Sequence, residues 1–290
     1  MSTGKANGSE LWLKSALAKL QDLKIRIISG VVMASLALVC LWAGGWLFSF
    51  CWLFLSAMVA FEWQTMVTPQ ASTTRNIVAL VMLLAMASAM NLAGAGAALE
   101  CLLAGVVAIA ALAPAGQRLW AGGGALYAGT LLLAVMDLRF SLSPFGFLAL
   151  FWLFGVVWMT DIMAYFGGRL IGGAKLWPQV SPSKTWAGTL SGLISGTLAG
   201  AGIVWLAGMP VSWPLVLLLG VAASLVAQGG DLLESAMKRH FGVKDSSPFI
   251  PGHGGFMDRL DGFIAASIFV ALFGFLRLDA PMAAAGLFQW

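Results

Sequence analysis

The chain has 290 residues, of which 60% are hydrophobic and only 10% charged, with a formal net charge of +4 and a mean hydropathy of +0.91. Such a composition excludes a water-soluble enzyme and points to a polytopic membrane protein. The small positive charge follows from topology, and no basic, aromatic-interleaved patch of the kind that holds nucleic acid is present.

The first 26 residues form a polar lead-in in which Leu13, Leu17, Leu20 and Leu23 recur at helical spacing among Lys14, Lys19, Asp22 and Lys24. This suits a short helix on the membrane surface, and equally an ordinary approach to the first span. No cleaved signal peptide is expected, because the apolar run from Ile27 is long enough to span and no convincing small-residue cleavage site follows it.

Apolar runs then predict nine membrane-spanning helices, near 27–43, 46–62, 77–93, 97–113, 119–136, 146–166, 186–208, 213–230 and 262–278. Helices are expected because lipid offers backbone amides no partner outside their own segment. The fifth carries Gly122, Gly123, Gly124 and Gly129, which weaken it as a helix. With the N-terminus in the cytoplasm, the inner segments hold 14 of the 16 Lys and Arg residues, leaving only Arg139 and Arg277 outside. The fold class expected is therefore all-α, with about nine transmembrane helices.

The charge is divided unevenly between two regions. Residues 27–145 read as an N-terminal transmembrane bundle with little chemistry; Glu62, at the end of the second span, reads as a solvated terminal acid. Cys40, Cys51 and Cys101 lie inside spans without metal-ligand spacing. Residues 146–290 carry two polar loops and the reactive groups. Asp161, late in the sixth span, is an ionisable residue in apolar surroundings and so a functional candidate.

The first polar loop, Ser181-Pro182-Ser183-Lys184-Thr185-Trp186-Ala187-Gly188, opens the seventh span, with Ser183 and Thr185 as candidate caps. A helix N-terminus with Lys184 beside it attracts anions, and equally a juxtamembrane lysine contacts lipid headgroups. On the same span Gly188, Gly192, Gly196 and Gly200 make a flat stripe for close helix packing, within the chain or between two copies.

The eighth span runs into Asp231 and Glu234, three residues apart and so on one helical face; Asp258 and Asp261 repeat that spacing before the ninth. Two acid pairs at successive helix ends, with no Cys–His set nearby, suit a hard divalent cation that also binds phosphate. Between them Lys238, Arg239, Lys244 and Arg259 supply positive charge, and Pro251-Gly252-His253-Gly254-Gly255 lets the backbone approach oxyanions closely. His253 reads as a hydrogen-bonded loop residue, a phosphate donor or a proton carrier, in that order.

The run Ser235-x-Met237-Lys238-Arg239-x4-Lys244-Asp245-x-Ser247-x2-Ile250-Pro251-x-His253-Gly254-Gly255-Phe256-x-Asp258-Arg259-Leu260-Asp261 resembles the signature of the phosphatidate cytidylyltransferases (CDP-diacylglycerol synthases), without a gap over 27 positions. The segment SPSKTWAG is similar to that family's SPKKTWEG, departing at Ser183 and Ala187, whose individual roles are thereby put in doubt. The resemblance implies an enzyme of the cell membrane, facing the cytoplasm, that joins CTP to the lipid phosphatidate with Mg²⁺ as cofactor; whether a second cation takes part is left open. It also implies a homodimer.

On that resemblance Asp231 and Asp258 are the chief metal ligands, supported by Asp261 and Glu234, while Lys184 and Arg259 hold phosphates. His253, Gly254 and Gly255 bind the triphosphate, and Ser181, Thr185, Ser235, Lys238, Arg239, Lys244, Asp245 and Asp161 complete the substrate site. A cytidylyltransferase for an isoprenoid glycerol phosphate would share this chemistry. A transporter is the alternative of a different class, although no inverted repeat is visible. A CDP-alcohol phosphotransferase would need an Ala-Arg that is missing after Asp261-Gly262.

Overall fold

In the computed structural model, the residues described are 28–68, 72–140, 144–250, 252, 254–277 and 282–288. The expected surface helix before residue 27 lies outside them. Helix α1 (Ile28–Ala43) is followed by α2 (Gly45–Val67), α3 (Ser72–Leu92), α4 (Ala95–Leu112), α5 (Arg118–Phe140) and α6 (Phe145–Leu170). A two-stranded hairpin, β1 (Lys175–Trp177) with β2 (Ser181–Thr185), leads into α7 (Trp186–Leu206), α8 (Trp213–His240), α9 (Met257–Leu276) and the short α10 (Ala283–Phe288). Eight of these helices are long and apolar enough to cross a membrane; α1 has 16 described residues. The chain is a nearly all-helical, polytopic membrane protein.

Outward-facing apolar side chains are the norm here, as they are for a molecule solvated by lipid tails. Helix α7 shows the division clearly. Leu190, Ile194 and Leu198, four residues apart, are all more than half exposed on one face. On the other face the glycine stripe lies against α6: a methyl group added to Gly188 would sit 2.6 Å from the Ala164 carbonyl oxygen, and one on Gly192 2.6 Å from that of Thr160. At Gly196 it would meet the Val156 carbonyl at 2.8 Å, and at Gly200 the Trp152 indole at 2.6 Å. The stripe is therefore occupied within the chain. Small residues let two backbones meet where no hydrophobic drive between helices exists.

The glycines of α5 find the same explanation. A side chain at Gly124 would collide with the indole of Trp63 on α2, whose Nε1 donates to the Trp120 carbonyl at 2.8 Å. Gln64 donates to the Ala121 carbonyl at 2.8 Å, and its Oε1 accepts from Nε of Arg75 at 3.0 Å. Arg75, one of the 14 basic residues expected in the inner segments, is thus a buried cross-tie between α2 and α3. Close packing, which intrinsic propensity does not register, stabilises α5 as a full helix.

Two features position the functional end. Trp52 on α2, Phe154 on α6 and Phe263 on α9 form a stacked aromatic cluster, with centroids 5.1–6.4 Å apart. Helix α8 continues ten residues beyond the predicted end of its span, and α9 begins five residues early, so both acid pairs stand on helices. At that level α8 and α9 touch through Gly230 and Gly262. A methyl on Gly230 would lie 2.8 Å from the Asp261 carbonyl, and one on Gly262 3.0 Å from that of Ala227.

Candidate active site

The site is assembled at one end of the bundle by the C-terminal turns of α8, the first turns of α9, strand β2 and the end of α2. Asp231, Glu234 and Asp261 each present a carboxylate oxygen within 4.8 Å of the others. Glu234 is fully buried, and its charge is met on one side by Lys238, whose Nζ lies 3.1 Å from Oε2. Three acids gathered this tightly repel one another unless cations stand among them.

Two lysines already do so in part. Lys184 Nζ lies 2.6 Å from Asp231 Oδ2, with both side chains partly exposed. Lys238 Nζ lies 3.1 Å from Glu234 Oε2 and donates to Asp258 Oδ1 at 2.6 Å. Ser235 contributes a long hydrogen bond of 3.4 Å to Asp231. Asp161 on α6 is within electrostatic reach of Asp231, Asp261, Lys184 and Arg259. Lys184 owes its place to the hairpin: β1 and β2 pair antiparallel, Lys175 opposite Thr185 and Trp177 opposite the buried Ser181. Thr185 then caps α7, accepting from the Gly188 amide at 3.1 Å. Short as it is, this hairpin is the only departure from all-α architecture among the described strands and helices.

Asp258 stands apart from the three-acid group. Its Oδ2 accepts from the amides of Gly255 at 2.7 Å and Ser246 at 2.9 Å and lies 3.0 Å from the Ser246 hydroxyl, whose single proton it shares with Glu62, while Oδ1 holds Lys238. Asp258, expected as a chief ligand, is thus engaged by protein donors and is not one of the three acids that gather. Glu234, expected as support, sits in the cluster instead. The Gly254-Gly255 backbone also turns inward: Gly254 has φ +83°, and a side chain on either glycine would run into protein carboxylates, Asp258 for the first and Glu62 for the second. The amide of Gly255 is spent on Asp258, so it is not a free donor for a triphosphate. His253 lies outside the described residues.

The largest departure from the sequence reading is Glu62. Expected as a solvated acid, it is 1% exposed. It accepts from the hydroxyls of Ser247 at 2.6 Å and Ser246 at 2.8 Å, and from the amides of Met257 at 2.8 Å and Phe256 at 2.9 Å. The available hint was that Glu62 is the only acid between residues 27 and 99. Of the remaining candidates, Arg239 is exposed and donates to the Val243 carbonyl at 3.1 Å. Lys244, Asp245 and Arg259 are exposed around the loop without a side-chain hydrogen bond among the described residues.

A model of the cytidylyltransferase family matches residues 24–276. The chain belongs to that family. A protein of Brucella suis biovar 1 (strain 1330) named phosphatidate cytidylyltransferase is 36% identical over 267 residues, covering 91% of this chain and 98% of that one. Its namesake in Brucella abortus biovar 1 (strain 9-941) is 35% identical over 272 residues, covering 93% and 100%. In Bacillus subtilis (strain 168) the protein of that name is 39% identical over 140 residues, 48% of this chain and 52% of its own. Membership is thus shown along nearly the whole chain, the N-terminal bundle included.

Proposed function

We propose that this member of the cytidylyltransferase family joins CTP to phosphatidate, giving CDP-diacylglycerol and pyrophosphate, at the facing ends of α8 and α9. The family match and the names of the Brucella relatives support the activity. The observation that carries the location is the cluster of Asp231, Glu234 and Asp261, each within 4.8 Å of the others, beside Lys184.

The donor set fits a hard divalent cation, Mg²⁺ in this reading: oxygen ligands only, from three carboxylates that lie within 4.8 Å of one another, one of them buried. Asp231, Glu234 and Asp261 would hold it. When bound, it supplies charge neutralisation around the reacting phosphates.

The chemistry itself asks little covalent work of the protein. An oxygen of the phosphatidate phosphate attacks the α-phosphorus of CTP, a new P–O bond forms, and the bond to the bridging oxygen breaks, its electron pair leaving with pyrophosphate. Lys184 presents its ammonium group to the phosphates from the N-terminal side of α7, and the exposed Arg259 does so from α9. Fixed cations aimed at charge that develops in the transition state contribute without reorganising. Lys238 has a different task, holding Glu234 and Asp258 in place. Residues 146–290 are the catalytic region on this reading, residues 27–145 the supporting bundle.

The same reading puts the protein in the cell membrane, with the site on the cytoplasmic side where CTP is found. The positive-inside distribution supports that orientation. A homodimer is part of the reading, through helix faces other than the α7 stripe, which α6 already covers.

The test is CTP turnover by purified protein, offering phosphatidate and an isoprenoid glycerol phosphate in parallel. Pyrophosphate release that depends on phosphatidate is expected. Turnover with the isoprenoid substrate alone would move the assignment to that lipid, and no turnover with either would refute it.

A further inference from the structure

We propose that Glu62, on the supporting bundle, is a positioning residue for the cation site: it fixes where α9 begins and so where Asp261 stands. This rests on reading Asp231, Glu234 and Asp261 as the cation site.

The first N–H groups of a helix have no partner within it, and a carboxylate placed there is favoured by the helix dipole as well. Phe256 and Met257 are the cap and first residue of α9, and both donate their amides to Glu62, at 2.9 and 2.8 Å. Asp258, the residue that would ordinarily serve the helix start from nearby, is turned toward Gly255, Ser246 and Lys238 instead. The cap of α9 therefore comes from α2, 194 residues away in the sequence. The hydroxyls of Ser246 and Ser247 close on the same carboxylate at 2.8 and 2.6 Å, tying the loop to the same point.

From there the path to the cluster is short and rigid. Asp261 lies one helical turn beyond Met257 and Asp258, facing α8 across the Gly230–Gly262 contact. Sliding or rotating the start of α9 moves Asp261 relative to Glu234 and Asp231, and a cation site tolerates little of that. Glu62 makes no ion pair among the described residues, so its charge is balanced by the helix terminus and by four hydrogen bonds. The side chain is buried among protein donors and is not one of the three clustered carboxylates.

The experiment measures Mn²⁺ binding to the purified full-length protein in detergent, reading free Mn²⁺ by its paramagnetic resonance signal, with no substrate present. Glu62→Gln keeps one carbonyl acceptor and the shape but loses the charge and the second oxygen. Ser247→Ala removes one bond to Glu62 and leaves the carboxylate. Asp261→Asn serves as the control for a lost ligand. Glu62→Gln is expected to weaken Mn²⁺ binding at least tenfold and Ser247→Ala severalfold, with CTP turnover recovering toward the wild-type rate at high Mn²⁺. A merely structural role would lower thermal stability and leave metal affinity alone. Wild-type affinity in folded Glu62→Gln overturns the inference. Should that variant not fold, wild-type affinity in Ser247→Ala overturns it. A wild-type protein that binds no Mn²⁺ refutes the cation site itself, and this inference with it.

Discussion

Asp258 and Asp261 share a helix and a residue type, yet the structure gives them different work. Asp261 faces the other acids of the cluster, whereas Asp258 accepts from the Gly255 and Ser246 amides of the loop and from Lys238. Their substitutions should therefore fail in different ways. Glu234→Gln and Asp261→Asn are expected to lower CTP turnover by roughly a thousandfold or more while the protein stays folded, the cost of losing metal-centred charge stabilisation. Chelation should mimic them in the wild type, with recovery on adding Mg²⁺. Full turnover in either folded variant would show that the cluster is not the reacting centre. Asp258→Asn should instead lower the thermal midpoint in detergent, because it removes one of the two carboxylates that hold Lys238 and weakens the hold on the Gly255 and Ser246 amides. An unchanged midpoint would return Asp258 to the set of residues that act only on the chemistry.

At the scale of elements, helix seams built on glycine hold the reactive end together. Gly196→Leu should prevent α6 and α7 from meeting, since even a methyl there would stand 2.8 Å from the Val156 carbonyl. Loss of folded protein in detergent extracts is the expected result. Gly262→Ala is milder: its methyl would lie 3.0 Å from the Ala227 carbonyl, so α8 and α9 must part slightly, at a cost of about 1–3 kcal/mol. Metal affinity should fall with it, and equal affinity in the folded variant would dissociate the seam from the site. The helices were legible because each apolar run is long and uniform, and the acid pairs because three-residue spacing is a local signal. The hairpin was not, since Lys175–Trp177 and Ser181–Thr185 are too short and too polar for a strand pattern. Nor was the role of Glu62: an acid ending an apolar run looks the same whether it meets water or a distant helix, and its partners lie 184–195 residues on. The engagement of Asp258 was hidden for a related reason, because spacing shows which acids share a face and not which donors reach them first.

For the whole molecule, the distribution of basic residues makes a claim about orientation that can be checked directly. Lys244 is exposed at the site end. With Cys40, Cys51 and Cys101 replaced, Lys244→Cys should react with a membrane-impermeant thiol reagent in inside-out vesicles and stay unlabelled in intact spheroplasts. Labelling in spheroplasts would invert the topology.

The long reach of Glu62 also has a consequence for how the protein is made. Its carboxylate enters the membrane region with α2, and the nearest of its donors, Ser246, follows 184 residues later. At about 5–20 residues per second of synthesis, that interval lasts roughly ten to forty seconds. For that time the nascent bundle carries an acid whose protein donors have not yet been made. Only the arrival of the last long helix closes the gap. A chain cut short before residue 246 thus keeps, at the end of its second helix, an acceptor that has none of the four donors it meets in the complete fold.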